Sequence, residues 1–94
     1  MEKPKTNFER ITYPAILTTK GRTLTGRSHP QIMSQIDYKS GERVAEEGFL
    51  TSNDRFVGRR LAAQIFRASK QTTHTGKELP ENVKELDSDH LYRF

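Results

Sequence analysis

Residues 48–70, GFLTSNDRFVGRRLAAQIFRASK, change their apolar period part-way along, and that change decides the fold reading. "GFLTS" and "RFV" are β-rich runs separated by Asn53-Asp54, a pair suited to a tight turn, so the first half predicts a β-hairpin. From Gly58 the spacing becomes helical. Leu61, Ala62, Ile65, Phe66 and Ser69 form one stripe over residues 58–70, while Arg60, Gln64 and Arg67 face away.

The same two signals recur toward the N-terminus. "ITYPAILTTKGRTLTGR" (11–27) is rich in β-branched residues, and Lys20-Gly21 marks a second hairpin turn. Pro14 predicts that the first strand lies at an edge or starts late. "SHPQIMSQIDY" (28–38) reads as a short helix, with Ser28 as cap, Pro30 in the first turn and Ile32, Met33 and Ile36 on one face. A charged connection, 39–48, follows. Residues 1–9 read as a loose arm and 71–82 as a mobile loop, because both lack apolar residues enough to anchor them. Leu91, Tyr92 and Phe94 form an apolar terminal group expected to dock. The whole reads as one small α+β domain, 1–94, of β-hairpins and two short-to-medium helices.

Only 32% of the 94 residues are hydrophobic, the mean hydropathy is −0.85 and there is no cysteine. So thin a core without a staple predicts a homo-oligomer. The absence of cysteine, of a long apolar run and of a signal-peptide pattern predicts a soluble, cytoplasmic protein. Net charge is +4 and uneven. Residues 1–72 hold 13 Lys/Arg against 7 Asp/Glu, and residues 73–94 hold 3 against 5, so a basic body precedes an acidic tail. A basic body points to an anionic partner.

Arg27, Arg55, Arg59 and Arg60 lie beside a turn or a helix start. Cations are unfavourable in a first helical turn, so they make best sense with an anion nearby, held by guanidinium forks and open N–H groups. The plainer reading pairs them with Glu46, Glu47 or Asp54. Phe49 and Phe56 read first as core residues on opposite sheet faces; alternatively, Phe56 or Tyr92 stacks on a nucleobase. His29, His74 and His90 match no metal spacing. His29 is the one with a functional setting, as a phosphate donor or an acid–base, although no carboxylate is placed to orient it. "GRTLTGR" lacks dinucleotide or P-loop spacing.

Three patches, "AILTTKGRTLTGRSHPQIM" (15–33), "EEGFLTSNDRFVGRRLAAQIF" (46–66) and "DSDHLY" (87–92), together resemble a widespread group of small phage proteins. That group reads as a Gly-Arg-His patch, then Gly-Phe-(Leu/Val)-Thr, Arg-Phe-Val-Asp-Arg, an Ala-rich helix and a terminal Ser-Glu-Asp-Leu. On the resemblance, Arg27, His29, Thr51, Arg55, Phe56 and Arg59 fall on its polar and aromatic positions. Gly58 departs from it, standing where the group has Asp, so the helix cap is lost or replaced. The terminal acidic pattern around Ser88, Asp89 and Leu91 is shortened.

Phage origin, as the resemblance implies it, suggests action on the host. The leading expectation is a non-catalytic protein that sequesters a phosphate-bearing nucleotide immune signal, of cyclic nucleotide or cyclic ADP-ribose type. Its ligand residues would be Arg27, His29, Thr51, Arg55, Phe56, Arg59 and Tyr92, with no cofactor and no metal. Arg55 and Arg59, if solvated, should be removable with little effect on folding. The alternative is a nucleic-acid- or host-protein-binding protein using its basic surface. A His29-dependent phosphoesterase or ADP-ribose hydrolase is the third reading.

Overall fold

The computed structural model describes residues 9–91. Among these residues four strands, three α-helices and one 3-10 turn make a small α+β domain. The strands are β1 (Ile11–Thr18), β2 (Thr23–Thr25), β3 (Val44–Thr51) and β4 (Phe56–Gly58); the helices are α1 (His29–Met33), α2 (Arg59–Ala68) and α3 (Ser88–Leu91). The strands form one antiparallel sheet in the order β2-β1-β3-β4.

Both sequence-marked turns close hairpins. Gly21 adopts φ 80° between β1 and β2, where glycine has no steric penalty. Asp54 adopts φ 61° between β3 and β4, and the Asp54 N–H donates to the Thr51 carbonyl at 2.9 Å. Asp tolerates this left-handed position better than most residues.

Pro14 sits differently from the sequence expectation. β1 is an interior strand, and it begins at Ile11. A strand residue turns its N–H and C=O toward the same neighbour. The Pro14 carbonyl accepts from Gly26 N–H at 3.4 Å, so its nitrogen also faces the β2 side. Paired residues of β2 end at Thr25, one before Gly26. The missing donor therefore falls at the end of β2 and does not disturb the pairing of Pro14 with Phe49 of β3.

Register shows which face the helices cover. Pro14, Phe49 and Val57 align across β1, β3 and β4, and Ile16 aligns with Leu24. Pro14 and Ile16, two apart, share a face. Phe49 and Val57 pack with Ala62, Ala63 and Phe66 of α2, and with Leu79 and Leu86. Ile16 packs with Ile32 and Ile36. Both helices thus lie on one side of the sheet. The expected α2 stripe is rotated: Ala63 is buried, whereas Leu61 is 39% exposed. The α1 region is shorter than its sequence pattern, ending at Met33 and followed by one 3-10 turn, Tyr38–Ser40.

Two carboxylates are buried at the ends of this layer, and each is gripped by an arginine fork. Arg22 reaches Glu42 through Nε at 2.8 Å and Nη2 at 2.9 Å, and Asp37 N–H adds a third donor to Glu42. Arg55 reaches Glu9 through Nε at 2.7 Å and Nη2 at 2.8 Å, and the Thr51 hydroxyl donates to the same carboxylate at 2.6 Å. Glu9 thus ends the expected loose arm one residue early; residues 1–8 lie outside the described residues.

The segment 71–82 carries defined contacts. Thr72 bridges Glu78, Thr73 N–H donates to Lys77 O at 2.8 Å, and Gly76 turns the chain at φ 82°. Leu79 enters the α2 core, and Arg67 donates to the carbonyls of Pro80 and Val83. No helix among the described residues is long and apolar enough to cross a membrane.

Candidate ligand-binding face

The sheet's other face carries a row of side chains that the sequence does not reveal as neighbours. Tyr13 aligns with Leu50, and Leu50 with Phe56. Each sits one residue from a helix-facing position, so all three point to the opposite side. Tyr13 is 52% exposed, and Leu50 and Phe56 are half-buried.

Pro14 meets Gly26 through the Gly26 N–H, and Arg27 follows in the bend after β2, its main-chain N–H donating to Gln31 Oε1 at 2.7 Å. A Cβ on Gly26 would meet Gln31 Oε1 at 2.8 Å and Ile32 Cγ1 at 2.9 Å, on the helix side. Its successor Arg27 is exposed. At ~4.8 Å between strands, the paired row Tyr13–Leu50–Phe56 spans about 10 Å, with Arg27 in the bend after β2. Beside it lie the small residues Ala15, Gly48 and Gly58. The Phe56 ring lies across Gly48, with Cζ 2.7 Å from where a Cβ would stand. Chemically the row and Arg27 offer two aromatic faces, an aliphatic spacer and a cation. They can stack planar groups and pair with one negative charge.

The other sequence-predicted site residues lie elsewhere. His29 is buried on the helix side; its Nε2 lies 2.8 Å from the Gly48 carbonyl and its ring meets Phe49 edge-on at 5.3 Å. Thr51 and Arg55 stand together at the β3–β4 turn, and both engage Glu9. Arg55 holds the Glu9 carboxyl below the usual glutamate range, against the opposing effect of burial. Arg59 donates through Nε to Leu86 O at 2.9 Å and faces Glu85 and Asp87 at 3.9 Å. Arg60 also faces Glu85 at 3.9 Å. The acidic tail therefore folds back onto the arginines at the α2 start. Tyr92 lies outside the described residues.

Glu46, on the open side, bears on the α2 start as well. A Cβ on Gly58 would collide with Glu46 Oε2, so that carboxylate occupies the space of a side chain at the N-cap. Its charge suits the positive end of the helix. No group of three or more metal-ligating side chains occurs among the described residues.

Residues 10–92 match the family described as the phage T4 y16D protein. The chain belongs to that family. No curated protein and no solved structure matches it. Family membership covers the sheet, all three helices and the returning tail. The open-face row and Arg27 lie wholly within the matched span.

Sequence reasoning missed Tyr13, Leu50 and Glu9. Tyr13 and Leu50 carried the alternation signal of a strand face, but their meeting depends on strand register. Glu9 carried no signal, because its partner lies 46 residues away.

Proposed function

We propose that this phage protein is a non-catalytic binding protein that holds a phosphate-bearing nucleotide on its open sheet face. The observation that carries the reading is the row Tyr13–Leu50–Phe56, with the exposed Arg27 one residue past the Gly26–Pro14 bond. A base stacks on the exposed Tyr13 ring, or over Phe56, and Arg27 takes a phosphate oxygen. Of the residues expected from sequence, Arg27 and Phe56 stay in the site and Tyr13 joins them. Arg55 and Arg59 leave it, because they stand away from this face, at the β3–β4 turn against Glu9 and at the α2 start against Leu86.

A flat face covers one side of a base. A second copy laid against it encloses the other side, which makes homo-oligomerisation part of the same reading and fits sequestration of a host signal. The position of His29 supports binding without turnover: its Nε2 faces a main-chain carbonyl and the residue is 5% exposed. The tail folded against Arg59 and Arg60 weighs against a broad basic surface for nucleic acid.

Calorimetry with mononucleotides, cyclic dinucleotides and cyclic ADP-ribose tests the proposal. Tyr13→Ala and Arg27→Ala should each weaken the best ligand by about 10- to 100-fold, the loss of one stacking or charged contact. Melting temperatures should hold, since both residues are exposed. Ligand recovered after denaturation should be intact, and light scattering should show more than a monomer. Full-strength binding by both variants, or no binding across the panel, overturns the reading.

A further inference from the structure

A second surface lies on the β4 side of β3. β4 has three residues and pairs with Gly48, Phe49 and Leu50 alone, whereas β1 pairs along β3 from Thr51 to Val44. One side of β3 is thus uncovered from Glu47 back toward Val44 among the described strands. The direction of the main chain there follows from Thr51, whose N–H donates toward β4, to Arg55 O at 3.0 Å. Alternate residues of a strand turn their N–H and C=O the same way, so Phe49 and Glu47 face that side too. Phe49 meets Val57. Glu47 meets no strand there among the described residues.

The chain leaves this edge open because it turns into α2 at Arg59. An open groove of about 570 Å³ results, lined by Glu46, Glu47, Gly58, Leu61 and Glu85 and by the arginines Arg59 and Arg60. Leu61 is among the exposed large apolar residues of the protein. Three carboxylates and two arginines line the groove, an excess of one negative charge. Glu85 is matched by Arg59 and Arg60, whereas neither Glu46 nor Glu47 has a salt bridge among the described residues. Charged edge residues commonly block strand pairing. They block a neutral or acidic strand and favour a cationic one, because directly opposed opposite charges stabilise a cross-strand pair.

We propose that this edge takes an extended protein segment carrying two adjacent basic residues, added beside β3. Its main chain exchanges bonds with Glu47 N–H and C=O. Its two cations project to opposite faces, one against Glu46 and the other against Glu47, and an apolar neighbour rests on Leu61. The register shift between Leu17 and Thr18 leaves Ala45 as an extra residue in β3, so the regular edge ends there. The bound segment is accordingly short. This surface is separate from the Tyr13–Phe56 row and does not depend on the nucleotide reading.

The test uses the full chain, isotopically labelled, with two capped hexapeptides: Thr-Val-Lys-Arg-Val-Thr and Thr-Val-Glu-Asp-Val-Thr. The basic peptide should slow hydrogen exchange at the Glu47 amide at least five-fold and shift the resonances of Glu46, Glu47 and Leu61. The acidic peptide should leave them unmoved. Glu47→Lys should weaken the basic peptide by ten-fold or more at an unchanged melting temperature; if that variant fails to fold, Glu47→Gln takes its place with a smaller loss. Unaltered Glu47 exchange at saturating basic peptide, equal response to both peptides, or undiminished binding by the folded variant overturns the proposal.

Discussion

Arg55 and Glu9 form a two-bond fork across the end of the sheet, Nε to Oε2 at 2.7 Å and Nη2 to Oε1 at 2.8 Å. Only 2% of the Glu9 side chain is exposed, against 51% of Arg55. The arginine is the solvated lid of a buried carboxylate, and the Thr51 hydroxyl bonds the same group from within. Arg55→Ala should therefore destabilise the fold, contrary to what its solvated appearance in sequence suggests. Leaving Glu9 buried without its cation should cost about 1–3 kcal/mol, below the value for a fully buried pair because half of Arg55 stays in water. That corresponds to a melting temperature lower by roughly 5–15 °C. A double-mutant cycle with Glu9→Gln should show coupling; additive losses would remove the fork from the stability argument.

The pH dependence has a definite sign. Glu9 and Glu42 both titrate below the ordinary glutamate value in the folded chain, Glu9 chiefly through its bond from Arg55 and Glu42 chiefly through its bond from Arg22. A depressed carboxyl binds protons less readily folded than unfolded. Its stabilisation is complete above the unfolded value, about 4.3, and is lost as pH falls toward the folded value. Thermal melts should be flat for these groups from pH 7 to about 5 and fall steeply below that. Glu9→Gln should flatten part of the acid limb. An acid limb unchanged in that variant would assign the loss to other groups.

Gly48 admits no side chain. A Cβ there would collide with the Val57 carbonyl and stand 2.7 Å from Phe56 Cζ. The first contact is backbone and cannot swing aside, so Gly48→Ala should separate β4 from β3. We expect a loss of at least about 2 kcal/mol by denaturant titration. A variant that melts like the parent would show that the β3–β4 pair tolerates a wider spacing.

Gly58 and Glu46 should be coupled. In the parent, Gly58→Asp places a carboxylate where Glu46 already sits, so it should bring no gain. In a Glu46→Ala background the same change can cap α2, and it should stabilise by about 0.5–1 kcal/mol. Equal effects in both backgrounds would mean that the two side chains do not compete for the helix start.

The sequence by itself determined what adjacent residues decide. The turns at Gly21 and Asp54, the Ser28 cap whose hydroxyl oxygen accepts from Gln31 N–H, and the start of α2 after Gly58 were all legible, because dihedral preference and capping act within a few residues. Tertiary structure alone decided the partners and the faces. Arg55 found Glu9 rather than Glu46, Glu47 or Asp54, and Arg59 found the returning tail, since an ion pair between distant segments depends on how the whole chain closes. Ala63 rather than Leu61 entered the core because the sheet, not the helix, sets which side of α2 is covered. Tyr13, Leu50 and Phe56 became neighbours through strand register. A shift of one residue would have turned Tyr13 inward and Pro14 outward, and that choice rests on packing Phe49 and Ile16 against helices far along the chain.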